Sequence, residues 1–145
     1  MTPEERIISD VKEFGWHVGL FEATENEPSF AYTIGLWKTF NHPDIIAFGL
    51  PIQTLHEVLN NTAEKVKEGQ TIALEIDDFD ILETLPVQFI DVDKNYIPEY
   101  FGYGQWFYDY GDFPAIQLVW PDRNGKFPWE EGLEEEFLKN QLLLN

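Results

Sequence analysis

The run Ala115-Ile116-Gln117-Leu118-Val119-Trp120, closed by Pro114 before it and Pro121 after it, constrains this chain more than any other stretch. It is short, apolar apart from Gln117, and rich in residues that suit a pleated surface, so it reads as a strand buried on both faces. Prolines cannot donate to a sheet ladder and are tolerated at strand ends. Beyond the run, Asp122 and the pair Asn124-Gly125 predict a sharp reversal, because Asn and Gly accept positive φ and an Asp side chain bonds to backbone ahead of it. Trp120, Phe127 and Trp129 are then expected to fold back on the core, since each ring removes a large apolar area from water. The same corner is a candidate wall for a binding cleft, with Asp122 or Arg123 at its rim. A purely structural corner needs the same residues, so the motif by itself demands no chemistry.

The remaining elements follow from periodicity and punctuation. In Pro3 to Phe14, Ile7, Ile8, Val11 and Phe14 recur at helical spacing, with Thr2 as cap, Pro3 in the first turn and Gly15 as terminator. Trp16 to Glu22 and Phe30 to Leu36 read as a pair of strands, and Ile45 to Phe48 as a short buried one. Trp37 to Pro43 is expected to be a loop. Pro51 to Lys67 is the clearest helix, with Ile52, Leu55, Val58, Leu59, Thr62 and Val66 on one face. Thr71 to Ile76 and Leu85 to Val92 are expected strands, and Leu133 to Leu144 a closing helix with Leu142, Leu143 and Leu144 docked on the body. Lys94 to Asp112 is dense in rings, with Tyr96, Tyr100, Tyr103 and Phe107 on one helical face, although Gly102 and Gly104 weaken a helix there. Together these predict one α+β domain over 1–145. Its sheet is mostly antiparallel, with a split-barrel-like arrangement as one form, and carries two or three packed helices.

Charge narrows the function classes. Of the 145 residues, 27 are Asp or Glu and 9 are Lys or Arg, a formal net charge of −18. Such a chain repels phosphate backbones and anionic lipid, which argues against nucleic acid and membrane surfaces as partners and leaves a basic protein or a cation open. The aromatic segment lacks interleaved Lys and Arg, so it is expected to build core or an apolar pocket wall rather than stack nucleobases. There is no cysteine, which removes disulfides, thiolate metal sites and thiol nucleophiles. The N-terminal sequence matches neither a signal nor a transit peptide, and a cytoplasmic location is the expectation.

Motifs for catalysis or metal binding do not complete. His17, His42 and His56 show no ligand spacing, and His42, beside Pro43 and Asp44, is the one that most invites a role. Asp91-Val92-Asp93-Lys94-Asn95 begins like a calcium loop, but Tyr96 stands where glycine is needed and Gly102 where the bidentate glutamate belongs. No metal site is predicted. Ser9 and Ser29 lie in no nucleophile elbow.

These residues carry a family likeness. Phe14-Gly15-Trp16, Phe30-Ala31-Tyr32-Thr33-Ile34-Gly35-Leu36, His42-Pro43-Asp44-Ile45-Ile46, Phe48-Gly49-Leu50-Pro51, Gln117-Leu118-Val119-Trp120-Pro121-Asp122, Gly125, Phe127-Pro128-Trp129 and Gln141 resemble a bacterial family of domains of unknown function, number 4262. The chain departs from it at Leu142, where proline is expected. The resemblance implies no catalytic residues. By analogy, the strand ending Thr33-Ile34-Gly35-Leu36 is also similar to the opening of flavin-binding split-barrel domains, where the threonine and the loop after it approach the cofactor.

Two functions are therefore expected. The first is a non-enzymatic binding module, of immunity or regulatory type, for a basic partner, with no cofactor. The alternative is a small-molecule or flavin site between the Tyr32–Trp37 strand end and the Trp120–Trp129 corner. Its candidate ligand-binding residues are Tyr32, Thr33, Gly35, Trp37, His42, Trp120, Asp122 and Trp129.

Overall fold

A computed structural model of the chain describes residues 1–82, 84–133 and 140–145. In chain order the elements are α1 (Pro3–Phe14), β1 (His17–Phe21), β2 (Phe30–Ile34), α2 (Leu36–Phe40), β3 (Asp44–Phe48), α3 (Ile52–Lys67), β4 (Gln88–Asp91), a 3-10 turn (Lys94–Tyr96), α4 (Ile97–Tyr100), α5 (Gly102–Phe107) and β5 (Ala115–Val119). The strands form one sheet in the order β1-β2-β3-β5-β4. β3 and β5 are parallel, and the other neighbouring pairs are antiparallel. The result is an α+β arrangement whose sheet is open, with β1 and β4 at its edges, rather than rolled into a barrel.

The sheet is covered on both faces. Ala31, Ile45, Ala47, Phe89 and Leu118 meet Leu55, Val58 and Leu59 of α3. On the opposite face Tyr32, Ile34, Ile46, Phe48 and Ala115 meet Ile7 and Val11 of α1 and the rings that follow β4. This burial explains why β3 and β5 read as continuous apolar runs rather than alternating ones. α1 begins as its sequence predicts: the Thr2 hydroxyl accepts from the Glu5 N–H at 3.1 Å, and the Glu5 carboxylate accepts from the Thr2 N–H at 3.2 Å. Gly15 ends it in the left-handed region at φ 102°.

Gln117, the polar interruption in the central strand, holds the C-terminal segment. Fully buried, its amide donates to the Leu142 carbonyl and accepts from the Leu144 N–H at 2.9 Å. Gln141 does the same for β5, donating to the Trp120 carbonyl at 2.8 Å and accepting from the Trp120 N–H at 3.0 Å. Leu144 is buried and Leu142 and Leu143 half-buried, so the expected docking of these leucines holds. It is made by extended chain, because residues 141–145 are not helical. The rest of the expected closing helix, 134–139, lies outside the described residues. The group Gln117 grips on Leu142 is a carbonyl, which the proline expected there would supply equally.

Several expectations are corrected. Trp37 to Phe40, expected as loop, belongs to α2, whose cap comes from outside the local sequence. Thr71 to Ile76 is not a strand: Glu75 lies in the left-handed region at φ 58°, where its N–H donates to the Phe89 carbonyl, and the one isolated bridge nearby, Asp78 with Val87, lies beyond the segment. β4 itself is shorter than Leu85 to Val92, as Pro86 cannot donate to a ladder. The ring-rich segment is broken at Phe101, whose φ −111° and ψ 45° separate α4 from α5. Of the corner residues, Phe127 is buried against Ile90, Val119 and Leu143, and Trp120 is partly buried on the α3 side. Trp129 stacks on Phe127 at 5.2 Å but stays 46% exposed. The reversal forms as predicted, with Asp122 Oδ1 accepting from the N–H groups of Asn124 at 2.8 Å and Lys126 at 2.9 Å.

Candidate functional site

The segment Tyr32-Thr33-Ile34-Gly35-Leu36 is the seat on which α5 is mounted. The Tyr32 hydroxyl accepts from the Tyr103 N–H at 3.0 Å, one of the first-turn donors that a helix cannot satisfy internally. Burial pushes this phenol up to about 12, against the lowering effect of the Tyr103 and Gly104 N–H groups. Just past the other end of α5, the Tyr108 hydroxyl donates to Asp44 Oδ2 at 2.6 Å and accepts from the Gly35 N–H at 3.1 Å. Helix α5 is thus pinned at both ends by phenol hydroxyls.

Asp44 organises the second pin. It has no solvent exposure. Its Oδ1 accepts from the Thr33 hydroxyl at 2.8 Å and the Leu36 N–H at 3.0 Å, while Thr33 Oγ1 accepts from the Ile45 N–H at 2.9 Å. The carboxylate therefore caps α2 from downstream in the chain, at the helix end where negative charge is favoured. Burial still outweighs its donors and raises its pKa from 3.8 to about 6. Burial and the adjacent Asp44 charge raise Tyr108 as well.

Between 3.8 and about 6 the native state holds a proton on Asp44 that the unfolded chain has lost. This contribution to stability is full below the lower value and lost as pH rises through the upper one. Other carboxylates titrate in the same range, so the effect is isolated by comparison with Asp44→Asn. Denaturant unfolding is expected to show the stability of the wild type, relative to that variant, increasing by about 2 kcal/mol from about pH 7 to about pH 4. A constant difference across that range would show that Asp44 keeps an ordinary pKa.

The pinned helix forms one wall of an aromatic cleft of about 490 Å³. Phe21, Phe30 and Tyr32 make its floor with nearly parallel rings, Phe21 lying 4.7 Å from Phe30 at 12° and 5.4 Å from Tyr32 at 15°. Tyr100 stands edge-on to Phe30 at 88°. Tyr103 and Trp106 of α5 close the wall, and Glu4 and Glu99 complete the lining. Burial, then the charges of Glu99 and Glu27, hold the Tyr100 hydroxyl above its ordinary value. A second cleft, of about 450 Å³, contains the Asp10–His17 pair at 2.7 Å together with His56, Asn60, Arg6 and Lys67. His17 and His56 thus share one cleft, and His42 lines another beside Val66 and Ile116. Burial lowers the His42 pKa. Among the described residues, no three His, Asp or Glu side chains are placed to hold a metal ion.

The family profile described as a domain of unknown function, DUF4262, matches residues 10–134. The chain belongs to that family. The DUF4262 region includes the whole sheet, the Asp44 node and both walls of the aromatic cleft, and leaves out Glu4 and the Gln141 clamp. Neither curated proteins nor solved structures yield a match to the chain. No helix among the described residues is long and apolar enough to cross a membrane.

The eight residues singled out from sequence do not share one site. Tyr32 lines the aromatic cleft, Thr33 and Gly35 belong to the Asp44–Tyr108 node, and Trp37 packs on the same face as Tyr32. Trp120, Asp122 and Trp129 lie far from them. Phe30 pairs with Phe48 and Asp44 with Ala115, so Thr33 to Trp37 sit at one end of the strands and Trp120 at the other. There the Trp120 indole donates to the Phe48 carbonyl at 2.6 Å. Sequence reasoning did not single out Asp44, Tyr108 or the cleft residues Phe21, Phe30, Tyr100, Tyr103 and Trp106. The signal available for the last group was ring density, which does point to a pocket wall.

Proposed function

We propose that this DUF4262 protein is a non-enzymatic binding module for a basic protein partner, acting by covering the partner as an immunity or regulatory protein does. The observation that carries this reading is the aromatic cleft with Glu4 and Glu99 in its lining, on a chain of net charge −18. Aromatic surface supplies binding energy, and the negative field speeds and orients encounter with a cationic surface. The most perturbed groups, Asp44 and Tyr108, bond to each other and to backbone, which is a structural use. The flavin alternative finds no support in the geometry, since its two halves stand at opposite ends of the strands.

The test is affinity capture of the partner followed by titration at several salt concentrations. The expected partner is rich in Lys and Arg, and its affinity falls at least about tenfold between roughly 50 and 300 mM salt. Salt-insensitive binding, or a stoichiometric small-molecule adduct in native mass spectrometry of the purified protein, overturns the reading.

A further inference from the structure

Building on the proposed partner class, we infer that the aromatic cleft is a receptor for an arginine side chain of that partner. Three features of the cleft fit a guanidinium better than a lysine ammonium. The rings run as a stack: Phe21 lies within 12° of Phe30 and 15° of Tyr32, and Tyr103 continues the series 6.5 Å from Phe21 at 24°, so a planar cation can add to the stack at Tyr103. A planar, weakly hydrated cation stacks on such a surface with little desolvation, whereas an ammonium gives up a tight water shell. Glu4 and Glu99 give the guanidinium N–H fork carboxylates to donate to. Among the described residues, the only charged ones in the lining are these two acids. The second cleft, by contrast, sets Arg6 and Lys67 against Asp10 and Glu64, so its lining carries no excess of negative charge to draw a cation.

The rings of this protein already accept a cation. Lys38 Nζ stands 5.4 Å from the centre of the Phe107 ring, on the same helix α5 that walls the cleft. Tyr103 is 37% exposed, within reach of an incoming side chain, and its backbone N–H bond to Tyr32 holds it in place.

The probes are capped hexa-arginine and hexa-lysine peptides, equal in charge and length, titrated into the full chain by calorimetry. Hexa-arginine is expected to bind at least about tenfold tighter than hexa-lysine, because only the guanidinium stacks and forks. Tyr103→Ala is expected to abolish that preference while leaving residual, salt-sensitive binding of both peptides. Glu99→Gln is expected to weaken hexa-arginine about threefold with the melting temperature unchanged. Equal, salt-sensitive binding of the two peptides, indifferent to Tyr103→Ala, overturns the arginine site and leaves the basic-partner reading standing. No binding of either peptide overturns both. Should Tyr103→Ala melt early, Tyr103→Leu, which keeps bulk without a π face, replaces it, and an arginine preference that persists there overturns the inference.

Discussion

Asp44→Ala is expected to lower folding stability by about 4 kcal/mol, from the stranding of several buried donors at roughly 1–3 kcal/mol each. The donors are the Thr33 hydroxyl, the Leu36 N–H and the Tyr108 hydroxyl, all of which end on the one carboxylate. The site has no solvent exposure, so bulk water does not replace the acceptor. Removing it also frees the start of α2 and the Tyr108 pin of α5. For a chain this size the melting temperature should fall by about 10 °C. Asp44→Asn keeps an acceptor for Thr33 and Leu36 and turns an amide toward Tyr108, so it should lie within about 1–2 kcal/mol of the wild type near neutral pH. An alanine variant melting within about 2 °C of the wild type would show that this node does not hold the helices. The same variant reads on the cleft, since hydrogen exchange at the Tyr103 N–H reports whether its wall stays seated.

How much of this was legible depended on whether the cause was local. Helices α1 and α3 could be read because their apolar stripes and end signals sit within a few residues of one another. Strands β2, β3 and β5 could be read because burial on both faces leaves a run that a turn or proline must end. Helix α2 could not, because its cap is Asp44, which forms its own strand on the far side of His42 and Pro43. The Thr71–Ile76 segment has strand composition, and only the left-handed Glu75 and its sparse pairing with β4 show that it does not join the sheet. Gln117 did carry a usable signal. A lone polar side chain in a buried strand must find partners, and here it finds the C-terminal backbone.

The site was harder for the same reason. Tyr32, Thr33 and Gly35 stand out in the sequence, but the hydrogen bonds they enter depend on Tyr103 and Tyr108, about half the chain away. The proposed cleft between the early strand end and the late corner failed on register. Parallel pairing of β3 with β5 carries Trp120 to the Phe48 end, and nothing in the two sequences fixes that direction in advance.

Gly49→Ala is the second substitution expected to have a large effect, and its cause lies in the same corner. Gly49 sits at φ 83°, where a side chain costs about 1–2 kcal/mol. A Cβ there would also fall inside the van der Waals envelope of the Asn140 carbonyl, with Trp120 Cζ2 at 3.0 Å on another side. Backbone on one side and an indole bonded to Phe48 on the other leave little room to yield, so the C-terminal segment must lift. Lifting it breaks the Gln117 bonds to Leu142 and Leu144 and the reciprocal Gln141–Trp120 pair, and exposes Leu144. A loss of about 3–4 kcal/mol is expected, with fast hydrogen exchange at Leu144 and Trp120. A double-mutant cycle separates the two causes: in a chain truncated before residue 140 the clash partner is gone, so Gly49→Ala should cost only the backbone strain of about 1–2 kcal/mol. Full additivity in that cycle would mean that the tail does not press on Gly49, and that the Gly-Leu-Pro block serves the turn alone.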